Sequence, residues 1–346
     1  MRHRARARWL VVAVPAGAVA ALAIGAATAG GASVETLGIV APEKGNDYGW
    51  NQQGVQSAQA AGKAENAQVV VDDGIGYENI EPNLRRMAQR GANLIIAQAS
   101  GYNTVAPKVA AQFKVPVIIY DRPQAKQKGL VANIDTSSQQ GAYLAGVLAA
   151  QVTKTGTLGV VLSAADTNWY KQAGGFAAGA RSVKKDIKFR TAQIGQAGYS
   201  DAAGGKRVTQ SVIASGADVV FGMGDGASFG MLQAVETAKP PAPAKKVYFI
   251  DVIGNKQKVD KKGVLLSSVL WDFTPIFTEA IKAVDAGTFG NVNYNMTVKN
   301  GISLLKTNKA PASAWAKVNA AKAGIQSGKI KVPLTPTKAA ADRLLQ

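Results

Sequence analysis

The chain has 346 residues, 47% hydrophobic and 18% charged, with 40 Lys and Arg against 22 Asp and Glu for a formal charge of +18. It has no cysteine and one histidine, His3, which excludes thiolate nucleophiles, disulfides, Cys/His metal centres and, past the first residues, any histidine general base. No cofactor and no metal are expected, binding is favoured over catalysis, and the length suits about two domains of ordinary size.

Residues 1–8 carry Arg2, Arg4, Arg6 and Arg8 with no acid, and residues 9–29 are apolar apart from Thr28. That is the layout of a secretory signal, with Ala27-Thr28-Ala29 as a small-x-small cleavage site. Without the four leader arginines, 36 Lys and Arg against 22 acids leave +14. The protein is therefore expected outside the cytoplasm, at the outer face of the plasma membrane or in the cell wall. With no cysteine to carry a lipid, any tether must come from the leader itself. The lysines are scattered, as in Lys184-Lys185 and Lys245-Lys246, without a basic stripe interleaved with aromatics, so no nucleic-acid partner is expected.

Beyond the leader, short β-branched runs at 37–40, 68–71, 93–96 and 115–120 read as buried parallel strands. Amphipathic stretches at 52–63, 80–90 and 105–113 separate them as helices, giving a βαβ series with helices on both faces of a sheet. The plan then recurs. Leu37-Gly38-Ile39-Val40 is echoed by Leu158-Gly159-Val160-Val161, Trp50 by Trp169, Gly91-Ala92-Asn93 by Gly216-Ala217-Asp218, and Tyr120-Asp121 by Ile250-Asp251. The offsets are 121, 119, 125 and 130 residues, as a duplication with small insertions would give.

The expected fold class is thus α/β, with two Rossmann-like lobes whose parallel sheets are joined by hinge strands. The first lobe spans 34–134 plus about 271–290, because the helical stretch 273–285 completes it. The second spans 135–270, with 291–346 as its continuation and C-terminal tail. Hinges are expected near Ile134, Leu270 and Asn291.

Ligands of open parallel sheets bind at the carboxyl ends of the strands, so the candidate residues are those just after each strand. In the first lobe these are Asp47, Trp50, Asn51, Ser100, Tyr102, Asp121 and Arg122; in the second, Asp166, Asn168, Trp169, Tyr170, Asp225 and Asp251. Flat aromatics mixed with carboxylates and amides suit nucleosides and sugars, a ring covering an apolar face while the polar groups take hydroxyls in pairs. Gly204-Gly205-Lys206-Arg207 is no phosphate loop, since Arg207 stands where a Ser or Thr would have to bind magnesium.

Several motifs resemble the basic membrane protein family of ABC-importer binding proteins. They are Asp47-Tyr48-Gly49-Trp50-Asn51 with Gly54, Ala99-Ser100-Gly101-Tyr102, Tyr143-Leu144-Ala145-Gly146 running to Thr153-Lys154-Thr155-Gly156, Gly175-Phe176 with Gly179-Ala180, Gly216-Ala217-Asp218, and the stretch from Ile325 to Pro333. The resemblance implies the type I periplasmic-binding-protein fold and capture of a small solute, with a purine nucleoside favoured. It also implies a monomer that delivers to a permease and an ATPase. Within it, Trp50 and Asn51 are similar to the first-lobe aromatic and amide, Trp169 or Phe176 to the opposing aromatic, and Asp251 to a ribose-binding acid. Leu270-Trp271-Asp272 departs from the pattern, standing where nucleoside binders commonly place a lysine. Residues 116–122, ending in Asp121-Arg122, resemble instead the sugar-binding branch of the same fold, so a pentose or hexose is the alternative ligand. A receptor that senses the solute without transporting it is the other alternative.

Overall fold

The computed structural model describes residues 33–346, so the expected leader lies outside the described residues. The first sheet takes β1 (Thr36–Ala41), β2 (Gln68–Asp73), β3 (Leu94–Ala97), β4 (Val117–Tyr120), β5 (Val131–Thr136) and β11 (Tyr294–Met296), in the order β2-β1-β3-β4-β5-β11 and parallel throughout. Strands β3 and β4 are wholly buried, as continuous apolar runs in the middle of a covered parallel sheet must be. Helices α1 (Trp50–Ala64), α2 (Glu81–Gln89) and α3 (Ala106–Phe113) make the crossovers.

The second sheet repeats this order with β6 (Thr157–Leu162), β7 (Lys188–Gln193), β8 (Val219–Met223), β9 (Tyr248–Ile253), β10 (Leu265–Trp271) and β12 (Ile302–Leu304), as β7-β6-β8-β9-β10-β12. Only β12 breaks the symmetry: it runs antiparallel to β10, whereas β11 is parallel to β5. Helices α4 (Ser138–Val152), α5 (Thr167–Arg181), α6 (Ala202–Ala214) and α7 (Ala227–Thr237) belong to this lobe. Helices α4 and α5 pack backbone to backbone. A Cβ on Gly146 would sit 2.0 Å from the Phe176 carbonyl oxygen, and one on Gly179 would sit 2.0 Å from that of Tyr143.

Two of the motifs that carry the family resemblance meet at the far end of the second lobe. Asp218 is buried at the start of β8 and accepts from the Lys154 and Thr155 amides at 2.6 and 3.1 Å and from the Thr153 hydroxyl at 2.5 Å. The Thr-Lys-Thr-Gly loop is thus held by the Gly-Ala-Asp motif, a structural bond remote from the strand ends that face the other lobe.

Between the lobes the chain passes three times: at residue 137 after β5, at 272–273 after β10, and at 297–301 between β11 and β12. Helix α8 (Thr274–Asp285) returns to the first lobe against α1, with the Phe273 amide donating to Ser57 Oγ at 3.1 Å and Asp285 accepting from the Val34 amide at 2.8 Å. The stretch that follows does not join the second lobe at 291, as expected from the sequence. Its next strand, β11, pairs with β5, so the first sheet extends to Met296 and the third crossing falls beyond it, not near Asn291. A three-residue strand is too short to show a hydrophobic period, which is why the boundary was invisible. The tail ends on the second lobe, with α9 (Ala312–Gln326) against α4 and α10 (Lys338–Leu345) against α5.

Candidate functional site

The two sheets point their carboxyl ends at each other, and a cavity of about 250 Å3 lies between them. From the first lobe it is lined by Trp50 at the start of α1, Tyr77 after β2, Ser100 and its neighbours Ala99 and Gly101 after β3, and Asp121 after β4. From the second lobe come Asp166, Asn168 and Trp169 at the start of α5, Tyr199, Asp225 after β8, Ile253 at the end of β9, and Trp271 at the end of β10. The lobes are in contact around it. Ser200 Oγ donates to Glu43 at 2.7 Å, Lys256 Nζ to the Tyr48 carbonyl at 3.0 Å, Asn168 Nδ2 to Asp121 at 3.4 Å and the Trp50 amide to Asp225 at 3.4 Å.

Trp50 is held by the protein itself. Its Nε1 donates to the Gln98 carbonyl at 2.7 Å, and its ring meets Tyr120, Phe273 and Trp271 edge-on at 5.0, 5.3 and 5.9 Å. Gln98 is fully buried, accepts from the Tyr120 hydroxyl at 2.6 Å and crosses directly over Gly54, where a Cβ would come within 2.3 Å of it. The glycine four residues after the tryptophan is therefore required by the side chain of the residue whose carbonyl holds the indole. Opposite, Trp169 is anchored by Ser163 Oγ at 3.0 Å.

Each tryptophan follows an acid by three residues, and each acid caps its helix. Asp47 accepts from the amides of Gly49, Asn51 and Gln52, and Asp166 from those of Asn168 and Trp169. Asp166 also takes the Tyr199 hydroxyl at 2.9 Å and lines the cavity, whereas Asp47 does not.

Of the candidates named from the sequence, Trp50, Ser100, Asp121, Asp166, Asn168, Trp169 and Asp225 come together on the cavity wall, and the other six do not. Asp47 is a helix cap. Asn51 is buried, accepting from the Glu43 amide and donating to Asp47. Tyr102 is fully buried with its hydroxyl on the Gly76 carbonyl, and Arg122 turns its guanidinium to the Asn103 carbonyl. Tyr170 packs toward the C-terminal tail, its carbonyl held by Thr335. Asp251 is sealed in the second lobe against Lys256 at 2.7 Å, both side chains having no exposed surface. Phe176 likewise stacks on Phe221 in the core at 4.7 Å.

The misplacement of Asp251 has a register cause. In the first sheet Ile96 pairs with Ile118, and in the second Phe221, the counterpart of Ile96, pairs with Ile250. Stepping along each strand, Asp251 matches the core residue Ile119, and the counterpart of Asp121 is Ile253. The backbone agrees, since Asp121 and Ile253 both adopt left-handed conformations, with φ of 56° and 69°. For a β-branched residue that conformation costs on the order of 1–3 kcal/mol, and such strain gathers where a chain must present a side chain to a site. Sequence identity favoured the acid two residues earlier. Tyr77 and Tyr199 carried no local signal, because they reach the cavity from loops far apart in the chain, and Trp271 was marked only as a departure from the family pattern.

Burial dominates the electrostatics. Asp225, 8% exposed, is pushed up to about 7, first by burial and then by Asp47 and Glu43, against the pull of Lys256 and the Trp50 amide. Asp121 stands at the mouth with Ser100 Oγ on its carboxylate at 2.6 Å. The protein around the cleft, with Asp166 facing it, raises its pKa despite Ser100, Lys171 and Asn168. Among the described residues no group of three His, Cys, Asp or Glu side chains could hold a metal ion, and no helix is long and apolar enough to cross a membrane.

The profile of the PnrA-like ABC transporter substrate-binding proteins, the Bmp family, matches residues 34–333. The nucleoside-binding ABC transporter protein BmpA of Lactococcus lactis is 30% identical over 312 residues, covering 83% of this chain and 86% of the relative. Among solved structures, ABC-transporter solute-binding proteins from Conexibacter woesei and Aeropyrum pernix superpose with TM-scores of 0.72 and 0.73. Each is 19% identical; the first covers 88% of this chain and 99% of its own, the second 89% and 95%. These likenesses establish the bilobed periplasmic-binding-protein fold, and with the profile matched across nearly all of the described chain, the protein belongs to the PnrA-like family of ABC transporter substrate-binding proteins.

Proposed function

We propose that this chain captures a purine nucleoside outside the cytoplasm and presents it, without chemical change, to a permease paired with an ATPase. The observation that carries the reading is the cavity itself, walled by aromatic rings and carboxylates from both lobes and small enough for one such solute. The open form binds on one lobe; rotation at the three crossings brings up the other, and the closed form is selected because only there does the solute touch both. The relative named for nucleoside binding supports a nucleoside over a sugar. The Asp-Arg pair that spoke for a sugar is not assembled, since Arg122 turns to the Asn103 carbonyl.

A thermal-shift panel of nucleosides, bases, pentoses and hexoses tests this. A ligand at about 100 times its Kd adds about 2.7 kcal/mol to stability. Nucleosides are expected to raise Tm; a panel in which free sugars alone do so refutes the nucleoside. Trp50→Ala is expected to abolish most of the shift, and an unchanged shift would mean the cleft is not the site.

A further inference from the structure

We infer that the cleft prefers a positively charged nitrogen heterocycle over a neutral one, an inference that rests on the cleft being the importer's solute site. The first ground is charge. Asp121, Asp166 and Asp225 line the cavity, and among the described residues no Lys, Arg or His does. Glu43 and Asp47 stand close behind Asp225. The ammonium groups that act on these acids are Lys171, which donates to Asn168 at 3.4 Å and pulls on Asp121, and Lys256, already committed to Asp251 at 2.7 Å. A chain with formal charge +18 has thus gathered acids, and almost nothing to offset them, at the one place where its lobes close on a solute.

The second ground is what the wall offers. Trp50, Trp169, Trp271, Tyr77 and Tyr199 are five aromatic side chains around one cavity, and their ring faces attract cations. The third is hydrogen-bond accounting. Asp121 Oδ1 and Asp225 Oδ2 accept nothing from the described protein, while Trp271 lines the cavity with its Nε1 buried and unpaired. A fitting solute therefore brings N–H donors or positive charge to the carboxylates. Ribose hydroxyls would satisfy the acceptors and leave the charge uncompensated.

The two classes of solute differ in their response to pH. Facing Asp225 are Asp47 and Glu43 from the loop before α1, the Trp50 amide of α1, Tyr77, Tyr199, and Lys256 after β9. A neutral solute enclosed there favours protonated Asp225, so its affinity falls as pH rises through neutrality. A cation favours the carboxylate, so its affinity rises.

The test is calorimetric titration of the wild-type protein near pH 5 and pH 8 with four probes (both values bracketing Asp225 at about 7). They are adenosine, adenosine methylated at ring nitrogen N1 (a cation at neutral pH), the ribose-free ring cation N-methylnicotinamide, and arabinose. The N1-methylated cation is expected to bind at least about tenfold tighter than adenosine near pH 8, with the advantage shrinking toward pH 5. Asp121→Asn and Asp225→Asn, each checked for native circular dichroism, are expected to reduce that ratio. If adenosine binds and its cation binds no tighter, the charge inference is overturned and the nucleoside reading stands. If N-methylnicotinamide binds and neither adenosine does, the charge inference holds and the nucleoside reading falls. Binding of arabinose alone, or of none of the four, overturns both.

Discussion

Gly254 follows Ile253 at the end of β9, and a methyl group there would lie 1.9 Å from the Tyr48 carbonyl oxygen, 2.6 Å from its carbon and 3.2 Å from the Gly49 nitrogen. All three atoms belong to the other lobe, and the Gly254 backbone is not in the left-handed region. Gly254→Ala therefore leaves the second lobe undisturbed and acts only against closure. Relieving the contact needs roughly 1.5 Å of local separation, given ordinary carbon–oxygen packing distances. That stretches the 3.0 Å bond from Lys256 to Tyr48 and the 3.4 Å approach of the Trp50 amide to Asp225 beyond hydrogen-bonding range. Bonds to charged groups contribute about 1.5–3 kcal/mol each, and one of these two is already long, so the closed state loses about 2–3 kcal/mol. Affinity for adenosine should fall roughly 30- to 150-fold. Calorimetry reads the affinity, small-angle scattering reads whether the ligand still contracts the molecule, and the ligand-free Tm should stay within about 1–2 °C of wild type. An alanine variant that binds adenosine within about threefold of wild type and contracts normally would refute the view that this contact is made when the lobes close.

Three other outcomes follow from the same geometry. Lys256→Met strands the Asp251 carboxylate in a site with no exposed surface, and should cost about 3–5 kcal/mol in urea denaturation; adding Asp251→Leu should recover most of it. Asp225 has a native pKa raised to about 7 from 3.8, so its contribution to stability is complete below about pH 4 and is lost as pH rises through about 7. Asp225→Asn should therefore match wild type in acid and exceed it near pH 8 by up to about 4 kcal/mol, and a gap that does not widen with pH would contradict the assignment. Gly179→Ala places a methyl 2.0 Å from the Tyr143 carbonyl between α4 and α5, and a loss of at least about 2 kcal/mol is expected from chemical denaturation.

Much of the fold was legible because parallel strands buried on both faces announce themselves as unbroken apolar runs. The runs at 37–40 and 158–161 lie in β1 and β6, at equivalent places in two sheets of the same strand order. The cavity wall was legible where a tryptophan sits at a fixed interval after a helix-capping acid, as Trp50 and Trp169 do. It failed for Asp251, where matching by identity chose an acid two residues before the true counterpart of Asp121. It failed also for Asn51 and Tyr102, whose polar groups serve the loops beside the cleft.

The sequence by itself determined the kind of protein. Alternating strands and helices repeated once, the absence of cysteine and a lone histidine at position 3 together specify two α/β lobes with few of the commonest catalytic groups. Only the tertiary structure decided what the cleft is made of. Tyr77, Tyr199, Ile253 and Trp271 meet there because strand register and three chain crossings bring their elements to one point, and no local pattern encodes such a meeting. The same convergence turns acids that look like scattered turn residues into one acid-lined cavity. A charge balance of that kind is a property of positions in space, which the linear order of residues does not contain.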